Sequence, residues 1–133
     1  MTPEVPTVWA GKPEARRYLL KAEEFLRSAK REQEEGRATS SGVLAIHAGI
    51  SACDALTSNF LGVRAKGPRH HDVLTLIERL PLQNKAVLGR QLTRLLDAKN
   101  VVEYDDKVMV EGEEAKMVDA AERIVRLARD AVK

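Results

Sequence analysis

His47, Ser51, Asp54 and Ser58 recur at intervals of four, three and four residues, so a helix through them stacks four polar side chains in one line. The segment around them, GVLAIHAGISACDAL, is otherwise apolar, and such a line asks for polar partners elsewhere in the fold. A second polar group lies later in the chain. Leu88, Leu92, Leu95, Lys99 and Val102 follow a four-three-four-three spacing in which one member is a lysine, with Asn100 and Tyr104 four apart beside it. A lysine in an apolar helical seam either snorkels to solvent or meets a carboxylate, because burying an unpaired charge costs several kcal/mol. Asp54 with Lys99 is the expected pair. It can be a structural salt bridge or the centre of a charged crevice that binds a ligand.

The third polar concentration is the loop VRAKGPRHH, where Arg64, Lys66, Arg69, His70 and His71 form the densest basic patch, suited to contacting phosphates or to lying solvated. His70, His71 and Asp72 do not make a metal site on spacing, since adjacent residues on a helix point about 100° apart and no His-x-x-x-His or cysteine pair completes a set. No metal and no cofactor is expected. Glycine-rich phosphate loops, nucleophile elbows and zinc-protease motifs are absent from the sequence.

Composition narrows the classes further. The 22 basic and 20 acidic residues leave a formal charge of +2, so any basic site must be local. Trp9, Tyr18, Phe25, Phe60 and Tyr104 are all the aromatic residues, too few for an extensive base-stacking platform. The lone Cys53 in an apolar helix points to a reducing compartment, and no run approaches a signal peptide or a membrane span, so a cytoplasmic protein is expected.

The elements that must position these groups are helices. Ala, Leu, Glu, Lys and Arg make up about half of the 133 residues, a composition suited to long helices in a single all-α domain. Residues 1–12, with two prolines, a glycine and Trp9, read as an extended arm tacked down by the tryptophan, and residues 13–133 as the bundle. Pro13 suits the first turn of a helix that ends near Gly36. Thr39, Ser40 or Ser41 can cap a second, the most apolar, which Gly62 closes and which should sit centrally or against a second subunit. A short third helix starts near Asp72 or a neighbouring histidine and stops at Pro81, and a fourth runs from about Asn84 to Tyr104. An extended VMV segment precedes a fifth helix whose Glu111, Glu113 and Glu114 suit the positive end of its dipole. The expectation is four long helices and one short one.

GVLAIHAGISACDAL, HHDVLTLIERL, LTRLLDAKNVVEYDD and EGEEAKMVDAAERIV together resemble the HEPN superfamily, the higher eukaryote and prokaryote nucleotide-binding domains, from about residue 14 to 130. The resemblance implies a helical bundle, commonly a two-fold dimer, and in many members a metal-independent ribonuclease of toxin–antitoxin, defence or RNA-processing systems. The family's motif is an arginine, a polar residue and, after four to six positions, a histidine facing its copy across the dimer. The matching residues here are Lys99, Asn100 and Tyr104, and Asp54 matches an acidic residue of the family's second helix.

Lysine keeps the charge but loses the planar fork that grips phosphate, and tyrosine, with a reference pKa of about 10 against about 6.5, is a poor general base at neutral pH. The expected function is a homodimeric module whose cleft of Asp54, Lys99, Asn100 and Tyr104, flanked by His47, Arg64, Lys66, Arg69 and His70, binds RNA, a nucleotide or a protein without cutting. One alternative is an active endoribonuclease in which Lys99 stabilises the phosphorane and Tyr104 donates the proton. Another is a structural adaptor for a nucleotidyltransferase-like partner.

Overall fold

The structure, a computed structural model, describes residues 4–67, 69–104 and 106–133, and only the backbone of His70, Glu103 and Tyr104. Among the described residues the order is β1 (Thr7–Trp9), α1 (Lys12–Glu34), α2 (Ala38–Leu61), β2 (Val63–Ala65), α3 (His70–Glu78), α4 (Lys85–Tyr104) and α5 (Glu113–Ala131). The protein is an all-α bundle of four long helices and one short one.

Helix α1 has Pro13 in its first turn, and the Gly11 N–H donates to Glu14 Oε1 at 2.7 Å, satisfying a donor that the helix start leaves open. Its buried stripe of Ala15, Ala22, Leu26 and Ala29 lies on α2. Helix α2 is capped differently from expectation. Arg37 occupies the N-cap with no side-chain bond, and the hydroxyls are used for tertiary contacts instead. Ser41 Oγ donates to the Ala29 carbonyl at 2.7 Å and Thr39 Oγ1 accepts from the Met109 N–H at 2.9 Å. At the other end Gly62 takes the left-handed conformation, φ 72°, that glycine adopts without a Cβ penalty.

Helix α2 is the central element, packed by α1, α4, α5 and β2. Its fully buried Ile46 and Leu56 each contribute about 1.5–3 kcal/mol by leaving water. The ion pairs Lys30–Glu122 at 2.9 Å and Arg129–Glu23 at 3.3 Å set α5 antiparallel to α1. Helices α3 and α4 form a hairpin in which Lys85 Nζ donates to the Glu78 carbonyl at 2.7 Å.

The small sheet was not anticipated. β1 and β2 pair antiparallel with Thr7 opposite Ala65, Val8 opposite Arg64 and Trp9 opposite Val63, extended by Ala10 N–H to Gly62 carbonyl at 3.1 Å and Lys66 N–H to Pro6 carbonyl at 2.9 Å. The arm is therefore held by its backbone rather than by its tryptophan, since Trp9 is 75% exposed. Helix α3 begins at His70 with Arg69 as N-cap, two residues ahead of Asp72.

Candidate functional site

Two small residues fix which way α2 faces. A Cβ at Gly49 would collide with Leu95 of α4, and one at Gly42 with the Met109 sulfur, so α4 and the segment after it lie against this glycine face, antiparallel to α2. The polar seam faces elsewhere. The His47 ring packs tilted on Phe25 of α1, with centroids 6.1 Å apart, and the Lys21 ammonium lies 5.9 Å from the Phe25 ring centre. Asp54, two turns after His47 on the same line, feels the charges of Lys21 on α1 and Arg64 on β2.

The expected Asp54–Lys99 pairing is corrected by this geometry. The charges acting on Asp54 are Arg64 and Lys21 rather than Lys99. From the Gly49–Leu95 contact, Asp54 lies five residues along α2 in one direction and Lys99 four residues along α4 in the other. At 1.5 Å per residue that separates them by about 13 Å along the bundle, and Asp54 is turned about 140° from Gly49. The crevice therefore divides into two sites.

At the first, burial pushes the Asp54 carboxyl up to about 7, against the opposing pull of Arg64 and Lys21. Arg64 is half-buried and also donates to the Ala65 carbonyl at 2.9 Å. One helical turn beyond Asp54, the Ser58 hydroxyl is buried with no hydrogen-bond partner among the described residues. Ser51 is buried too. Burial, with the Asp54 charge alongside, pushes the Cys53 thiol well up, which makes it an inert core residue rather than a nucleophile.

At the second, Lys99 is 6% exposed on the inner stripe of α4, below Leu88, Leu92 and Leu95, and has a partner within the fold. Asn100 is exposed beside it. Tyr104 ends α4, and its side chain, like that of His70, lies outside the described residues. The basic loop is not one patch, because Arg64 is half-buried on β2 while Lys66 and Arg69 stay exposed, Arg69 at 3.9 Å from Asp72. Among the described residues no three His, Cys, Asp or Glu side chains are grouped to hold a metal, and no helix is long and apolar enough to cross a membrane.

The sequence reading missed Lys21, whose signal was its placement four before Phe25, and the glycines of α2, whose seven-residue spacing marks a close helix approach. It also missed Arg90 and Arg94. These exposed residues line an open groove of about 770 Å³ between α3 and α4.

Among curated proteins nothing matches the chain. A family model described as HEPN domain matches residues 15–131, which takes in all five helices apart from the first turn of α1. That match spans most of the 133 residues, and the chain belongs to the HEPN domain family.

Proposed function

We propose that this protein is a homodimeric HEPN module of the toxin–antitoxin, defence or RNA-metabolism type that binds RNA or a nucleotide beside the end of α4 and does not cleave it. The observation that carries this reading is the burial of Lys99. A cation on the inner stripe of α4, already partnered there, is poorly placed to neutralise a phosphorane. Asn100, exposed at the same level, offers a neutral amide that can hydrogen-bond a base or a sugar but cannot stabilise a developing negative charge as a guanidinium does. Dimer formation is supported by Val101, Val108 and Val110, which are 43%, 75% and 65% exposed and line one hollow, a concentration of apolar surface suited to burial against another chain.

The test is a cleavage and binding assay on structured and unstructured RNA with chelator present. The expected result is intact RNA together with binding weakened by Asn100→Ala. Cleavage that disappears in Lys99→Ala or Tyr104→Phe overturns the reading in favour of an endoribonuclease.

A further inference from the structure

β1 lies ahead of residues 15–131, the stretch matched to the family, and its two edges are unlike each other. Toward β2 the ladder is closed. The Ala10 N–H donates to the Gly62 carbonyl and the Lys66 N–H to the Pro6 carbonyl, so in this register Pro6, Val8 and Ala10 are the residues whose main chain faces β2. The residues between them turn theirs the other way. Thr7 and Trp9 each point an N–H and a C=O away from the ladder, and none of these four groups is hydrogen-bonded among the described residues. This edge is outermost, since α2 and α3 lie against β2 whereas Thr7, Val8 and Trp9 are all exposed.

Proteins blunt such edges with a charge, a bulge or a proline whose missing N–H falls on the open side. β1 carries none of these. Thr7, Val8 and Trp9 are uncharged, the pairing with β2 runs without interruption, and the missing N–H of Pro6 falls on the closed side. Trp9 is 75% exposed, yet one end of its ring lies over Gly11, where a Cβ would stand 3.3 Å from it. A strand added beside β1 would set one of its own side chains against that ring, a cross-strand contact of the kind that stabilises sheets.

The surroundings say what kind of strand. Lys12 and Arg16 on the first turns of α1, and Lys66 across from Pro6, are exposed and in no ion pair among the described residues. Against them stands Glu4, because Glu14 is already committed to the Gly11 N–H and to Arg17. We infer that the outer edge of β1 receives an extended, acidic segment of another protein as a third strand. Its main chain pairs with Thr7 and Trp9, an apolar side chain lies on the Trp9 ring, and its carboxylates face Lys12, Arg16 and Lys66. A second copy of this chain is a poorer occupant, because pairing β1 with β1 would bring these cations onto their own kind. So is a nucleic acid, since a sugar-phosphate backbone has no counterpart to donors and acceptors at peptide spacing and Trp9 is the only aromatic residue of the arm.

Trp9 is the chain's sole tryptophan, so its emission reports on this edge alone. The experiment follows that emission on the full chain while a capped eight-residue peptide alternating glutamate and valine is added to millimolar concentration. A saturable blue shift is expected as the ring leaves water. The same peptide N-methylated at every residue, its lysine–valine twin and an oligouridylate of equal length should each bind at least about tenfold more weakly. Lys12→Glu/Lys66→Glu, whose folding an unchanged thermal melt confirms, should weaken the acidic peptide about tenfold and favour the lysine twin. No shift with the acidic peptide overturns the inference, and so does equal binding of its N-methylated form, which would leave charge alone as the cause. Tighter binding of the oligouridylate hands the edge to nucleic acid, and a shift that grows with protein concentration alone hands it to a second copy, each overturning it as well.

Discussion

The two sides of α2 are built on opposite principles. Toward α4 it presents Gly42 and Gly49, with the Leu95 side chain and the Met109 sulfur occupying the space that a Cβ would take. Toward α1 and β2 it presents His47, Asp54 and buried serines, with a carboxylate only partly compensated by Lys21 and Arg64. The first side holds the bundle together by contact, and the second sacrifices stability to keep a charged group under cover. The difference teaches where to look for function: buried polar groups that weaken a fold need a reason, and close-packed glycines already have one.

The comparison breaks most visibly at Leu95. Leu95→Ala should cost about 2–5 kcal/mol in urea unfolding, because the removed side chain leaves a cavity against Gly49. Gly49→Ala in the parent should cost about 1–3 kcal/mol and much less when Leu95 is already alanine, a coupling that a double-mutant cycle measures directly. Additive costs would mean that the two residues do not share this space.

Asp54 sharpens the other side. Its carboxyl is raised from an ordinary 3.8 to about 7, so the unfolded chain ionises first and stability falls as pH climbs between those values, then levels off. Asp54→Asn removes that penalty. It should gain about 2–4 kcal/mol at pH 8 and nothing at pH 3.5, read from denaturation midpoints at the two pH values. A gain of equal size at both pH values would assign the effect to shape rather than charge. The smallest effect is expected at Thr39, where Thr39→Val leaves the Met109 N–H without its acceptor and should cost about 1 kcal/mol, with faster amide exchange confined to residues 107–110.

Much of this fold was legible because helical spacing is a strong signal. Pro13, Gly62 and Pro81 marked ends that the structure places within a few residues, and the stripe containing Lys99 was recognisable as buried. What the spacing could not say was which neighbour faces which stripe. Residues on α2 are apolar around most of its circumference, so Asp54 could be assigned to α4 as easily as to α1, and the glycines that settle the matter act through the side chains of other helices. The β1–β2 pairing was illegible for another reason. Strands of three residues carry almost no alternation, and Trp9, the one conspicuous side chain of the arm, takes little part in holding it. Arg90 and Arg94 were passed over because a lone charged residue on a helix usually means a solvated face, and only the fold shows that α3 leaves a trough beside them.

The strap of β1 and β2 joins the start of α1 to the end of α2, two points that the turn at Glu35–Arg37 already brings side by side. Residues 7–65 thereby make a ring closed by main-chain hydrogen bonds, and closing it adds little entropy cost once the helical hairpin exists. A single nick at the exposed Gly36 would accordingly leave two fragments tied together at the far end and along their packed length, rather than one domain falling open.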